Sequence, residues 1–138
     1  MICPLNARAI ALLYKLLINY DKIVKIQPRE ITSYGTSDGK FPFDEWLDSV
    51  RDRNVRVRIK SRLDRVQQGN LGDIKSVGEG VFELRINYGP GYRVYFGQVG
   101  LTVVVILVAG DKSTQEQDIR QAIAYWKDYE RRESTDKS

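Results

Sequence analysis

Polar and apolar residues alternate along the middle of the chain, and this alternation predicts three consecutive β-strands. The predicted strands are Val81–Tyr88, Tyr92–Gln98 and Leu101–Val108. In the first of them Glu83, Arg85 and Asn87 fall on the face opposite to the apolar side chains, because successive side chains of a strand point to opposite faces. The third is almost entirely apolar and β-branched, which is typical of a central strand buried on both faces. Glycine-containing turns separate the three runs, so we expect an antiparallel meander.

Helical spacing of apolar residues predicts three helices around this meander. The first begins at Pro42, since proline is tolerated in the first turn of a helix. The second covers residues 53–68 and ends at a glycine. The third follows a capping box formed by Ser113 and Glu116, and it frays in the tail Tyr129–Ser138.

Two further strands complete the predicted sheet. Ile23–Tyr34 contains an edge strand, and Leu71–Ser76 forms a short strand before the meander. The order of elements is then strand, two helices, four strands and a helix. This order predicts an α+β fold: a small, mainly antiparallel sheet of four to five strands, with the two N-terminal helices packed on one face and a C-terminal helix.

The first 22 residues stand apart from this predicted domain. Ile10–Ile18 is apolar, but it contains Lys15 and is too short to span a bilayer. No small-residue cleavage site typical of a signal peptide follows it. We expect residues 1–22 to be an extra helix, or the product of a start site placed too far upstream, and residues 1–20 to be dispensable.

Composition removes several classes of chemistry. The chain has 138 residues, which suits a single domain. It contains no histidine, the commonest general base and metal ligand, and its one cysteine, Cys3, excludes an internal disulfide and a cysteine-rich zinc site. No P-loop, dinucleotide-binding glycine motif or metal-ligand cluster occurs. This cysteine usage fits a reducing cytoplasm, where we expect the protein to act, away from a membrane.

Positive charge is concentrated on the second predicted helix, in a chain whose net charge is +4. Its cations are Arg53, Arg56, Arg58, Lys60, Arg62 and Arg65, against Asp64 alone. These side chains form either a solvated face whose aliphatic stems cover the sheet, or a surface that follows phosphates or binds an acidic partner. The sequence leaves both interpretations open.

Four short motifs carry a resemblance to a known family. They are GNLGDIK, VGEGVFELRI, GPGYRVYF and GDKSTQ. In order and spacing they resemble the RelE/ParE superfamily of toxins, and more closely its HigB-like branch of addiction module killer proteins. The resemblance covers residues 23–132, which we take as the toxin domain. Residues 1–22 are then an N-terminal extension and residues 133–138 a tail.

The resemblance implies the toxin of a type II toxin–antitoxin pair with a RelE-like fold. Its implied partners are a small helix-turn-helix antitoxin, the ribosome and mRNA, and it implies no cofactor and no metal. Better-known members of the superfamily cleave mRNA in the ribosomal A site. A relative of the ParE type, which inhibits DNA gyrase by binding, would share the fold without catalysis. The sequence leaves the choice between an endoribonuclease and a non-enzymatic binding toxin open.

The resemblance implies that Arg85, Arg93 and Lys112 are catalytic cations, with Lys75 as a looser match that would bind RNA. Asp118 is the further catalytic candidate, because it stands with Gln115 in the region after Lys112. Tyr95, which could stack on a base, and Arg58 and Arg62 of the cationic helix are the other RNA-binding candidates. The arginines would stabilise charge on a phosphate, while the proton-transfer roles stay open between Lys112 and Asp118. The purely structural alternatives are that Arg85 pairs with Glu83 or Glu79 and that Tyr95 is ordinary sheet packing.

Overall fold

Five strands and four helices make up the part of the chain that the structure describes. The computed structural model describes residues 6–25 and 28–136, with side chains from residues 6–17 and 28–136. The strands are β1 (Glu30–Ser33), β2 (Ile74–Gly78), β3 (Val81–Ile86), β4 (Tyr92–Val99) and β5 (Val103–Asp111). The helices are α1 (Ala7–Lys25), α2 (Pro42–Ser49), α3 (Arg53–Gln67) and α4 (Gln115–Asp136), and a single 3₁₀ turn, Lys112–Thr114, precedes α4.

The strands form one mixed sheet in the order β1-β5-β4-β3-β2. Neighbouring strands from β2 to β5 run antiparallel, as short turns require, and β1 joins the edge parallel to β5. The predicted α+β class is therefore confirmed. Within the predicted edge-strand segment Ile23–Tyr34, only Glu30–Ser33 is a strand, because α1 continues to Lys25 and residues 26–27 lie outside the described part.

Helices cover both faces of the sheet. α2 and α3 pack on one face, where an apolar cluster includes Phe43, Ile59 and Leu84. The prediction that the two N-terminal helices of the domain pack on one face is confirmed. α4 lies on the opposite face, where Ala122 and Trp126 pack against Tyr95 and residues of β5.

Local chemistry explains where α3 and β2 begin. The Asp52 side chain accepts a hydrogen bond from the backbone N–H of Asn54 at 2.9 Å and so caps α3. After α3, the Arg62 guanidinium donates to the carbonyl oxygen of Leu71. Gly72 follows with a φ of +61°. Because this loop occupies the first residues of the strand predicted for Leu71–Ser76, β2 begins three residues later than predicted, at Ile74.

The start of α4 differs from the prediction. Ser113 and Glu116 do not form the capping box, because Asp111 takes the capping role: its carboxylate accepts from the backbone N–H of Ser113 at 2.8 Å. That bond opens the 3₁₀ turn, and α4 follows from Gln115.

The end of α4 also differs from the prediction, because the expected frayed tail is helical to Asp136. Contacts with the segment after β1 hold it. The Tyr34 hydroxyl donates to Asp128 Oδ2 at 2.5 Å, and the Arg132 guanidinium lies 5.3 Å from the centre of the Tyr34 ring.

α1 has few neighbours in the described part of the chain. Asn6 accepts a hydrogen bond from the backbone N–H of Ala9 at 2.8 Å, as an N-cap does. Large apolar side chains between Ile10 and Leu17 are about half exposed or more. A helix occupies Ala7–Lys25, and the choice between the two origins expected for this segment stays open. No helix among the described residues has the length and hydropathy that crossing a membrane would need.

Candidate functional site

A fully buried carboxylate, Glu83, lies at the centre of the α4 face of the sheet. Its Oε1 accepts hydrogen bonds from Nε of Arg85 at 3.0 Å and from Nε of Arg93 at 3.3 Å. Its Oε2 accepts from the Tyr95 hydroxyl at 3.2 Å and from Nε2 of Gln115 at 3.0 Å. Four donors therefore satisfy this carboxylate, which makes its burial tolerable.

Strand register explains why these side chains meet. Glu83 pairs with Tyr95 across β3 and β4, and Arg85 pairs with Arg93 one step further along the same face. Residues directly opposite each other on neighbouring strands share a face, and so do residues two apart on one strand. The sequence alternation of β3 and β4 thus brings Arg85 and Arg93 together, and Glu83 screens the repulsion between them.

The two arginines differ in exposure. The Arg85 side chain is 36% exposed, whereas the Arg93 side chain is 14% exposed. Nη1 of Arg93 is buried and has no hydrogen-bond partner within the described residues. The Arg85 side chain is therefore partly exposed to solvent, whereas the Nη1 group of Arg93 is a buried donor that none of the described residues accepts from.

Burial and hydrogen bonding act in opposite directions on the Glu83 carboxyl. Burial alone would raise its pKa. The hydrogen bonds from Arg85 and Gln115, the charge of Arg93 and the hydrogen bond from Tyr95 outweigh burial and hold the pKa below its usual value. Glu83 is consequently ionised at neutral pH, and it acts as a fixed anion between two cations.

Asp118 lies beside the arginine row. Gly110 of β5 pairs with Arg93. A Cβ placed on Gly110 would come within 2.0 Å of Asp118 Oδ2, so the missing side chain makes room for this carboxylate. Thr114 donates to the same oxygen at 2.5 Å. Burial raises the pKa of Asp118, the Thr114 hydrogen bond lowers it, and the charge of Asp111 raises it again, with a net increase.

Lys112 is the first residue after β5 and lies at the same end of the sheet. Its backbone N–H donates to the carbonyl oxygen of Gly91 at 3.0 Å. Its exposed side chain lines an open groove of about 450 Å³ that also includes Gln115 and Arg120. Gln115 therefore connects this groove to Glu83. The structure places Lys112 near the arginine row without an ion pair in the described part of the chain.

Two of the predicted RNA-binding residues, Lys75 and Tyr95, lie close to Glu83, but the first is exposed and the second is buried. Lys75 of β2 pairs with Glu83, so it lies on the same face, and its side chain is exposed. Tyr95 is fully buried, so its ring has no free face for a base, and the expectation that it stacks on RNA is wrong. Its buried ring packs in the sheet, as the structural alternative expected, and its hydroxyl also donates to Glu83.

The other two candidates lie on α3. Arg58 is exposed, and its guanidinium stacks 4.2 Å from the centre of the Tyr88 ring. Arg62 is only 8% exposed and donates to the carbonyl oxygen of Leu71, so it is not a freely exposed side chain, and its contact with RNA stays a prediction. Of the two interpretations that the sequence left open for this helix face, a solvated surface describes the exposed Arg58 and not the buried Arg62.

Sequence reasoning underestimated Glu83, Gln115 and Gly110. A glutamate in the middle of a strand whose neighbours are mostly apolar is the signal that could have singled out Glu83, because such a charge requires partners. No comparable sequence signal marks Gln115 or Gly110, since their roles depend on where α4 lies. Within the described residues no group of three or more Cys, Asp or Glu side chains is arranged to hold a metal ion.

The fold and the site together define an α+β protein with a cationic row on one sheet face, organised by a buried glutamate. No family model matches the chain. The sequence is 50% identical over 80 residues to a Haemophilus influenzae (strain KW20 / Rd) protein described as an uncharacterized protein. That match covers 58% of this chain and 81% of the relative. The chain belongs to the same family as this relative.

Proposed function

We propose that the chain is the toxin of a type II toxin–antitoxin pair of the RelE/ParE kind, and that it stops translation by cutting mRNA at the ribosome without a metal. The observation that carries this proposal is the Arg85–Arg93 pair, held on one sheet face by the buried Glu83. Two guanidinium groups fixed on a rigid sheet suit a phosphate whose charge grows during reaction.

The reaction in this proposal is attack of a ribose 2′-hydroxyl on the adjacent phosphate. The 2′-oxygen forms a bond to phosphorus, the 5′-oxygen of the next nucleotide leaves, and one proton moves from the former to the latter. Arg85 binds the phosphate oxygens, because its guanidinium is the exposed member of the pair. Arg93 keeps Glu83 and Arg85 in position and adds positive charge beneath the phosphate.

Asp118 and Lys112 share the proton transfer in this proposal. The Asp118 carboxylate takes the proton from the 2′-hydroxyl, and its raised pKa makes it a stronger base than an ordinary aspartate. Its carboxylate lies over Gly110, in register with Arg93. Lys112 is the candidate for the acid that gives a proton to the leaving 5′-oxygen, because it follows Asp111 at the same sheet end.

The other proposed partner is a small helix-turn-helix antitoxin. An acidic or amphipathic segment of it would cover Arg85, Arg93 and α3, because opposite charges steer such partners together. This contact would also remove the phosphate site from RNA.

A non-enzymatic toxin is the second candidate function. The observation in its favour is that both Nε–H groups of the arginine pair already donate to Glu83, and that Arg93 is largely buried. A toxin that acts by binding DNA gyrase or blocking the ribosome would need no proton transfer.

Induced expression with mapping of mRNA 5′ ends separates the two functions. The endonuclease predicts growth arrest and fresh 5′ ends inside translated codons. Both effects should be lost in Arg85→Ala and kept in Arg53→Ala, which removes an exposed arginine of α3 that lines neither of the two grooves at Arg85 and Lys112. Growth arrest with intact mRNA and altered DNA supercoiling would favour the gyrase-binding toxin, and normal growth with confirmed folded protein would contradict both.

A further inference from the structure

A second cationic surface adjoins the arginine row. It is an open groove of about 420 Å³ between α3 and the end of β3. Four arginines line it: Arg58, Arg62, Arg65 and Arg85. Asp73 is the only acidic residue in the lining, and the lining contains no lysine. The groove therefore has an excess of guanidinium groups, which bind phosphate or carboxylate groups through paired hydrogen bonds.

Arg62 forms the fixed floor of this groove. Its guanidinium donates to the carbonyl oxygen of Leu71, and a Cβ on Gly72 would lie only 2.3 Å from its Nη2. Burial lowers the pKa of Arg62, the charge of Arg65 lowers it further, and Asp73 offsets part of this decrease. The groove therefore holds like charges close together without enough counter-charge, and an anion bound there would relieve that repulsion.

Arg58 determines what kind of contact the groove offers. Its guanidinium covers the Tyr88 ring at 4.2 Å from the ring centre, so the ring face on that side is occupied. A base would have to displace Arg58 in order to stack there. The groove thus offers charge and hydrogen-bond donors, which suit a nucleic-acid backbone more than its bases.

Arg85 belongs to both surfaces, because it donates to Glu83 and also lines the groove. We propose that the groove binds the phosphate backbone of single-stranded RNA on one side of the phosphate held by Arg85, without preference for sequence. This inference rests on the proposed function, since it extends that site. Because Arg85 is part of both the proposed phosphate site and the groove, an RNA strand bound at Arg85 can continue into the groove. We therefore favour an RNA backbone over an acidic peptide as the ligand of the groove.

Binding of an RNA that cannot be cut tests the groove apart from the reaction. The probe is a fluorescein-labelled oligouridylate of about ten nucleotides, enough to span a typical single-strand site, with every 2′-hydroxyl methylated. Fluorescence anisotropy with the purified full chain should show that Arg58→Ala and Arg65→Ala each weaken binding about tenfold, as expected for a charged hydrogen bond. Each should also lower the slope of log affinity against log salt by about 0.7. The matched control is Arg53→Ala, an exposed arginine of the same helix outside the lining, which should bind as the unchanged protein does.

Several outcomes would overturn the inference. One is equal RNA binding by the unchanged protein, Arg58→Ala and Arg65→Ala, with all three folded by circular dichroism. Another is groove-dependent binding of an oligoglutamate peptide with no RNA binding, which would assign the groove to an acidic partner. The proposed function can fail separately: if the methylated RNA binds through the groove but induced cells show no mRNA cuts, the groove stands and the nuclease does not.

Discussion

The two faces of the sheet are built from alternate residues of the same strands, yet their chemistry differs. On the α2–α3 face Leu84, Val94 and Ile106 are buried in an apolar cluster. On the α4 face the same strands present Glu83, Arg85 and Arg93 beside an apolar cluster. An apolar face gains stability from burial alone, whereas the mixed face must satisfy every buried charge.

This difference shows how a small domain can hold a charged site. The α2–α3 face supplies the burial that stabilises the fold, which leaves alternate positions of β3 and β4 free for charges. Those charges remain in place because Glu83 accepts four hydrogen bonds. A buried ion pair is costly to break, since the partner that remains becomes an uncompensated buried charge.

Glu83→Ala should have the largest effect on stability. It removes the anion that balances Arg93 and leaves the Tyr95 hydroxyl without its acceptor. The free energy of unfolding should fall by about 4 kcal/mol, as for other broken buried ion pairs. Urea denaturation measures this, with Glu83→Gln as the comparison that keeps the shape of the side chain but removes its charge and leaves one acceptor oxygen in place of two. A loss below about 1 kcal/mol, the size of an ordinary hydrogen bond, would show that the cluster is not a buried network.

Ile59→Ala tests the apolar face. Ile59 is fully buried on α3, and its truncation should cost about 3 kcal/mol through lost burial and the cavity left behind. The same denaturation measurement applies. Because Ile59 lies away from the arginine row, the proposed toxicity should fall only in proportion to the loss of folded protein. Loss of toxicity in a variant that is fully folded would contradict the division between the faces.

Acidification should lower the stability that the Glu83 cluster contributes, and this loss should be smaller than that caused by Glu83→Ala or Ile59→Ala. The pKa of Glu83 is lower in the folded protein than in the unfolded chain. The contribution of the Glu83 charge to stability is therefore complete at pH values above the unfolded pKa, and it is lost as the pH falls through the folded pKa. The stability advantage over Glu83→Gln should be constant above about pH 5. It should shrink below about pH 4, by at most about 1.4 kcal/mol per pH unit for one proton. An advantage that grows on acidification would contradict the lowered pKa.

Much of this fold could be predicted from local sequence patterns. Alternation in Val81–Ile86 and Tyr92–Val99 places Glu83 opposite the apolar face, and short turns make the strands antiparallel. These are short-range effects, so a single sequence carries them. The row that Arg85 forms with Arg93 follows from the same alternation.

Long-range packing explains what the sequence could not predict. The burial of Tyr95 depends on α4 lying over β4, and the helical C-terminal segment depends on Tyr34, 94 residues earlier in the chain than Asp128. The buried position of Arg62 depends on the loop at Gly72. No local pattern encodes which distant element will cover a side chain.

The most direct test of the central claim is the cutting rate of Arg85→Ala on translating ribosomes with a defined mRNA. The claim is that the arginine row serves function while the opposite face serves stability. Arg85→Ala should form new 5′ ends about a hundredfold more slowly than the unchanged protein, the usual effect of losing one preorganised charge contact. Its melting temperature should fall by only several degrees, because Glu83 loses one donor but keeps those of Arg93, Tyr95 and Gln115. Arg53→Ala should match the unchanged protein in both measurements, and a folded Arg85→Ala that cuts mRNA at the full rate would contradict the account.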